Sequence, residues 1–156
     1  MKTIVVGYDG LPSSERALDR ALELAKALNA RLHVVSVGEF IPVVEPVAPT
    51  ALAAPGLMEM PPWSAGAGGE ELAERMLEKA RERVGRKDVE VEYTRLTGLP
   101  DEALIQEADR IDADLIVVGT REPGFLDRLF GGDTSVDISR RAHRDVLIVH
   151  GPRKRG

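Results

Sequence analysis

The sequence predicts an α/β domain built on a doubly wound, five-stranded parallel sheet with helices on both faces. Short β-branched runs of the kind that form buried strands alternate along the chain with longer stretches whose apolar residues recur at helical spacing. A chain of 156 residues with 43% hydrophobic and 30% charged residues also has the size and composition of one globular domain. Because strands that alternate with helices form parallel sheets through right-handed crossovers, we predict a single domain over residues 1–156.

The first forty residues are predicted to form one βαβ unit. Residues 3–7 (TIVVG) and 31–37 (RLHVVSV) predict two buried strands. Between them, apolar residues recur every three or four positions from Ala17 to Leu28, which predicts an amphipathic helix. Ser13 or Ser14 is expected to cap this helix.

A proline- and glycine-rich segment that begins at Phe40 and ends at Gly69 interrupts the alternation. Six of the ten prolines fall in it, and such a density excludes a central strand or a long helix. One interpretation is a flexible insertion whose apolar residues fold back onto the domain. The other is a lid or a docking segment for a protein partner.

The remaining elements resume the alternation. The strand at 89–96 alternates apolar and charged residues, which indicates a position near the sheet edge. The helix that starts at Pro100 has the proline at its favoured first position. The predicted elements are a helix at 70–84, a strand at 89–96, a helix from 100, a strand at 115–118, a helix at 133–143 and a last strand from Asp145 to His150.

Composition excludes several classes of function. A net charge of −5 argues against a nucleic-acid partner, and the absence of cysteine excludes disulfides and thiolate metal sites. No run of about 20 apolar residues predicts a membrane span, and the initial apolar run is too short for a signal peptide, so we expect a cytoplasmic protein. We interpret His33 as structural, and His143 and His150 as surface residues.

The stretch after the strand at 115–118 is the best candidate for a functional site. The strand ends sharply at Gly119, and a glycine-containing loop follows that leads to Asp133, Thr134 and Ser135 at the start of a helix. Backbone N–H groups and the positive end of a helix dipole converge in such an arrangement, which favours anions. If the first and fourth strands are neighbours, Asp9 and Gly119 share one crevice.

These features together resemble the universal stress protein family. The resemblance is carried by IVVGYDG with Ser13 and Ser14, by TGLPDEAL, by DLIVVGTR and by the glycine loop that leads to DVLIVH, and it covers nearly the whole chain outside residues 40–69. It implies the strand order 3-2-1-4-5 and a regulatory role in the stress response. It also implies ATP bound across the first and fourth strands and a homodimer formed through the last strand, from Asp145 to His150.

The family motif for nucleotide binding matches this chain only in part. It reads Gly, two residues, Gly, nine residues, Gly, then Ser or Thr. Laid on the sequence, its positions fall on Gly119, Glu122, Gly132 and Asp133, so that two of the four match. The nucleotide-binding residues that the resemblance implies are Asp9, Val35, Gly119, Arg121, Gly124, Gly132, Asp133, Thr134 and Ser135.

Three of these residues have structural alternatives. Asp9 is a candidate ligand of the nucleotide, but it also suits an Asx turn in Tyr8-Asp9-Gly10. Val35 is a candidate for the adenine pocket, but valine in a buried strand is more often a core residue. Arg121 can reach a phosphate or pair with a neighbouring carboxylate.

The two departures from the motif have physical consequences. Glu122 and Asp133 put carboxylates beside the phosphate position, and two unit charges about 5 Å apart repel by roughly 3 kcal/mol, on the order of a hundredfold in affinity. The Asp133 carboxylate can also cap the helix and occupy the N–H groups that a phosphate needs. We therefore expect ATP to bind weakly or not at all, unless Mg²⁺ bridges Asp133 to the phosphates.

Two other functions stay open. One is a nucleotide-hydrolysing or nucleotide-transferring enzyme on the same fold, which needs cations near the loop; Arg121 and Arg128 supply them, but Glu122 and Asp133 oppose them. The other is a structural dimer that docks a partner through residues 40–69. We favour a non-enzymatic regulatory dimer.

Overall fold

The computed structural model describes residues 1–38, 68–86, 88–120 and 134–151. Within these ranges the chain forms five strands and four helices. The strands are β1 (Thr3–Gly7), β2 (Arg31–Gly38), β3 (Val91–Thr97), β4 (Leu115–Gly119) and β5 (Asp145–Val149). The helices are α1 (Pro12–Leu28), α2 (Gly68–Val84), α3 (Pro100–Arg110) and α4 (Thr134–Arg141).

The five strands form one parallel sheet in the order β3-β2-β1-β4-β5. This confirms the predicted fold class and strand order. The order reverses between β1 and β4, because the chain builds outward from β1 to β3 and then crosses back to β4. Asp114 fixes the start of β4 beside β1, since its Oδ2 accepts hydrogen bonds from the backbone N–H groups of Lys2 (2.7 Å) and Thr3 (2.9 Å). These bonds hold the pKa of the Asp114 carboxyl below its ordinary value.

Helices cover both faces of the sheet. Side chains alternate across each strand, so one face of β1 presents Ile4 and Val6 and the other presents Val5. The first face packs against α1 and α2, in a cluster that includes Ile4, Val6, Leu18, Ala21, Leu77 and Ala80. The second face packs against α3 and α4, in a cluster that includes Val5, Val35, Leu104, Ala108, Ile116 and Ile138.

β3 occupies the edge of the described sheet, as its alternating pattern predicted. Its Glu92 and Arg95 side chains are exposed, whereas Tyr93 packs against the α1–α2 face. The strand begins at Val91 and not at residue 89, because pairing with β2 starts where Leu32 lies opposite Val91. A strand's boundary follows its pairing, which the chain's own pattern does not specify.

Several other boundaries differ from the predictions. α2 begins at Gly68, inside the segment predicted to be irregular, while α4 ends at Arg141 and β5 ends at Val149. Helix and strand ends fray, so differences of this size are expected. Leu28 and Leu72, which continue the apolar stripes of α1 and α2, are exposed by 46% and 53%.

The ends of the proline-rich segment meet at one point of the fold. A Cβ atom added to Gly38, at the end of β2, would lie 2.2 Å from the carbonyl oxygen of Gly69 in α2. Only glycine permits so close an approach at this position. The described chain therefore leaves β2 and re-enters at α2 in the same place, and the residues between them, 39–67, lie outside the described ranges.

Candidate functional site

β1 and β4 end side by side at the point where the strand order of the sheet reverses. Val6 pairs with Val117, so Gly7 and Gly119 end the two strands at the same edge. Asp9, which follows Gly7 by one intervening residue, is exposed. Ligands of open parallel sheets bind at this kind of edge. The structure thus meets the condition under which the sequence predicts that Asp9 and Gly119 share one crevice, namely that β1 and β4 are neighbours.

Asp9 shapes the turn that connects β1 to α1. Its Oδ1 accepts a hydrogen bond of 3.0 Å from the backbone N–H of Leu11, which is an Asx turn. Its own backbone N–H donates to the hydroxyl of Ser14 at 3.2 Å. The structural alternative for Asp9 is therefore present, and its contact with a nucleotide stays a prediction.

The start of α1 corrects one prediction. Neither Ser13 nor Ser14 caps the helix: the capping position is Leu11, whose side chain makes no cap, and Pro12 begins the helix. Proline suits this first position because it lacks the N–H that would go unpaired there. Ser14 lies inside the first turn, where its hydroxyl accepts from Asp9 and donates to the carbonyl of Leu11 at 2.9 Å. It still organises the turn, but from within the helix.

Gly119 packs directly against the first turn of α1. A Cβ atom added to it would lie 2.2 Å from the carbonyl oxygen of Ser13 and 2.5 Å from its carbonyl carbon, distances that real Cβ atoms do not adopt. Glycine is thus required here by helix packing. Its presence in the nucleotide-binding motif does not by itself indicate a ligand.

Val35 lies in the hydrophobic core. Its side chain is 1% exposed and belongs to the cluster on the α3–α4 face. Its carbonyl accepts a hydrogen bond of 2.8 Å from the backbone N–H of Tyr8, which ties the end of β1 to β2. The structure places Val35 beneath the crevice, in the core position that the sequence considered as the alternative, and its role toward adenine stays a prediction.

Most of the glycine loop lies outside the described residues. This holds for Arg121, Gly124, Gly132 and Asp133, and for the magnesium ligation predicted at Asp133. Thr134 and Ser135 begin α4, but their side chains are not among those described. What the structure establishes is that β4 leads to the crevice at Gly119 and that α4 begins at Thr134.

Sequence reasoning missed one cation near this edge. Arg16 lies one turn after Ser13 on α1, and its Nε is buried with no hydrogen-bond partner among the residues that the structure describes. Because a single arginine on an amphipathic helix is ordinarily solvated, nothing in the sequence indicated that the Nε of Arg16 is buried. The packing of α1 against Gly119 is what places it at the edge.

Sequence reasoning also missed the partners of His33. The structural interpretation of His33 agrees with its burial, because the residue is 4% exposed. Its Nε2 lies 3.1 Å from Oε1 of Glu107 in α3, and Glu107 is itself 4% exposed. One feature of the sequence could have indicated that Glu107 has a buried partner. Glu107 lies on the apolar stripe of α3, one turn after Leu104, where a carboxylate needs such a partner.

The described residues offer no further chemical centre of a familiar type. Across the ranges that the structure covers, no three histidine, aspartate or glutamate side chains converge to hold a metal ion. Within the same ranges, no helix has both the length and the apolar character required to cross a bilayer. The edge where β1 and β4 end is the place at which parallel sheets with this strand order bind ligands.

Comparison with known proteins assigns this chain to a family. The model of the universal stress protein family matches residues 1–150. Universal stress protein Rv1636 of Mycobacterium tuberculosis is 38% identical over 152 residues, which cover 96% of each chain. Stress response protein NhaX of Bacillus subtilis is 31% identical over 159 residues, covering 94% of this chain and 96% of its own.

A solved structure agrees with the sequence relatives. A universal stress protein crystallised in complex with cAMP has a TM-score of 0.66 and is 31% identical, and the match covers 96% of both chains. The fold is therefore shared with proteins of this kind over nearly the whole chain.

Proposed function

The chain belongs to the universal stress protein family, and from this premise we propose that it is a stress-response module that binds an adenine nucleotide of low charge at the crevice between β1 and β4. The observation that carries the proposal is the meeting of Asp9 and Gly119 at the edge where the strand order reverses. A similar protein binds cAMP on the same fold, which supports an adenine nucleotide as the ligand class.

The charge of the loop favours a nucleotide with few phosphates. Glu122 and Asp133 stand where the family motif has glycine and a hydroxyl residue. Each carboxylate repels each phosphate charge by roughly 3 kcal/mol at about 5 Å. A cyclic mononucleotide has a single phosphodiester charge, whereas ATP has about four charges, so the penalty grows steeply from one to the other. We expect cAMP or AMP to bind better than ATP without a metal.

Magnesium can reverse this order of nucleotide affinities for ATP. A hard cation prefers carboxylate and phosphate oxygens together, so Mg²⁺ held between Asp133 and the phosphates converts repulsion into coordination. ATP binding that requires Mg²⁺ is therefore compatible with the same loop. ATP binding that is equally strong without Mg²⁺ is not compatible with this loop.

Replacing Asp133 with serine tests the role of the carboxylate. In magnesium-free buffer, we expect Asp133→Ser to strengthen ATP binding at least about tenfold, because one unit charge near the phosphates is removed. Binding of cAMP should change much less. The measurement is calorimetric titration of both nucleotides into protein stripped of bound nucleotide.

Asp137 provides the matched control, since it is a carboxylate in the first turn of the same helix and is not part of the motif. Asp137→Ser should leave both affinities within about threefold of the original. If Asp133→Ser and Asp137→Ser have equal effects on ATP, the loop carboxylate has no special role and the proposed charge selectivity is wrong.

We further propose that the protein is a homodimer formed through β5. In the described sheet, β5 pairs with β4 alone, and its Val146, Leu147, Ile148 and Val149 are only partly buried. An apolar strand at an edge is a site for pairing with another chain. Sedimentation velocity at micromolar concentration should give the mass of a dimer; a monomer throughout that range would contradict the proposal. Docking of a protein partner through residues 40–69 remains a separate prediction.

A further inference from the structure

His33 of β2 lies between a hydroxyl group and two carboxylates. Its Nε2 is 3.1 Å from Oε1 of Glu107 and 2.8 Å from Oγ1 of Thr94. Its Nδ1 is 3.2 Å from Oε2 of Glu92. The ring is 5% exposed, so water does not substitute readily for these partners. Nε2 thus contacts both β3, through Thr94, and α3, through Glu107.

The surroundings of His33 contain few other charges. Arg110 of α3 binds Glu107 through two hydrogen bonds, Nε to Oε2 at 2.8 Å and Nη2 to Oε1 at 2.6 Å. On the other side of β2, β1 presents the apolar Val5 opposite His33. The charged and polar groups that face the ring from β3, from α3 and from its own strand are Glu92, Thr94, Glu107, Arg110 and the exposed Arg31.

The two charge states of the ring select different partners. A neutral imidazole has one N–H donor and one acceptor nitrogen. In the neutral tautomer that has its proton on Nδ1 and donates to Glu92, Nε2 accepts the hydrogen of the Thr94 hydroxyl and donates nothing to Glu107. A charged imidazolium has two donors, so its Nε2–H can donate to Glu107. Protonation of the Nδ1–H tautomer therefore moves the bond of Nε2 from β3 to α3.

Glu107 is available as an acceptor throughout the range in which an imidazole changes charge. The hydrogen bonds from Arg110 hold the pKa of the Glu107 carboxyl below its ordinary value, although burial opposes this, and the neighbouring His33 contributes in the same direction as Arg110. Glu107 is thus ionised at neutral and mildly acidic pH, the range in which imidazole groups in general change charge.

We propose that His33 is a proton-dependent tie: a charged ring bonds α3 to the sheet through Glu107, and a neutral ring with its proton on Nδ1 leaves α3 held by its other contacts. The position of α3 matters at the crevice, because Leu104, one turn before Glu107, packs beneath Gly7 at the end of β1. A Cβ atom added to Gly7 would lie 3.2 Å from Cδ2 of Leu104. The hydrogen bond between the charged His33 ring and Glu107 does not depend on nucleotide binding.

Nitrogen-15 NMR of the histidine rings tests the exchange of partners directly. The spectra distinguish charged from neutral rings, and the exposed His143 and His150 serve as internal references. At a fixed pH of about 6.5, we expect Glu107→Gln to lower the ratio of charged to neutral His33 about tenfold, because a facing carboxylate is removed. Thr94→Val should raise that ratio, because it removes the partner of the neutral ring.

Hydrogen exchange of the α3 amides tests the mechanical consequence. After correction for the intrinsic exchange rate, we expect protection in α3 to rise several-fold to about tenfold from pH 8 to pH 6, as a charge-assisted hydrogen bond forms. In Glu107→Gln this pH dependence should disappear. Glu102→Gln, which changes an exposed carboxylate on the same helix, should retain it.

Three results would overturn the proposal. The first is a His33 ring that keeps one charge state from about pH 5 to 8. The second is a Thr94→Val variant with an unchanged ratio of charged to neutral ring, a test that stands even if Glu107→Gln does not fold. The third is α3 protection with the same pH dependence in Glu107→Gln as in the original protein, which would make the cluster a purely structural network.

Discussion

Gly119→Ala is expected to destabilise the protein by at least about 3 kcal/mol, with a clear loss of thermal stability in calorimetry. The added methyl group would lie 2.2 Å from the carbonyl oxygen of Ser13 and 2.5 Å from its carbonyl carbon. Both atoms belong to the backbone of the first turn of α1, so no side-chain rotation relieves the clash. Either α1 or the end of β4 must shift, and both are packed in the centre of the domain.

Gly7→Ala is the matched control, because Gly7 ends the neighbouring strand at the same edge. Its added Cβ would lie 3.2 Å from the terminal Cδ2 of Leu104, a flexible side-chain atom that can move by a few tenths of an ångström. We expect a loss of only about 1 kcal/mol or less. Equal losses in the two variants would show that close packing of Gly119 on Ser13 does not exist in solution.

Glu107→Gln is expected to lower the free energy of unfolding by about 3 kcal/mol at neutral pH. The carboxylate is 4% exposed and accepts two hydrogen bonds from Arg110 as well as lying 3.1 Å from Nε2 of His33. An amide replaces one acceptor oxygen with a donor, which removes one of the two hydrogen bonds from Arg110. Glu102→Gln, an exposed change on the same helix, should stay within about 0.5 kcal/mol.

The loss of unfolding free energy in Glu107→Gln should depend on pH in a definite direction. Arg110 holds the pKa of the folded Glu107 below the ordinary value of 4.5. A carboxylate with a lowered pKa contributes stability that is fully present above the unfolded value and is lost as the pH falls through the folded value. The difference between the original protein and Glu107→Gln in urea unfolding should therefore shrink as the pH falls below 4.5. A difference that grows as the pH falls below 4.5 would contradict the assignment.

The architecture was predictable because its signals are local. The β-branched runs of β1 and β4 and the apolar spacing of α1 are periodic features that a buried element must have, whatever its neighbours. The alternation of strands and helices then restricts the topology, since crossovers are right-handed. Placing Asp9 beside Gly119 needed one more fact, the pairing of β1 with β4, which the family resemblance implied and the structure confirms.

The features that the sequence did not predict are contacts between residues distant in the chain. Sequence spacing predicted a serine cap for α1, whereas Pro12 starts the helix and Ser14 bonds the turn from inside it. His33 and Glu107 are 74 residues apart, and nothing in either segment specifies that the two meet. The packing of Gly119 on Ser13 is of the same kind. Such contacts follow from how α1 and α3 lie on the sheet, which periodicity alone does not determine.

The most direct test of the proposed function is calorimetric titration of cAMP and of ATP into nucleotide-free protein, each with and without Mg²⁺. We predict that cAMP binds at micromolar concentration whether or not Mg²⁺ is present. ATP should bind at least about tenfold more weakly than cAMP when Mg²⁺ is absent. Absence of heat with both nucleotides, or ATP binding as strong as that of cAMP in magnesium-free buffer, would contradict a crevice that selects adenine nucleotides of low charge.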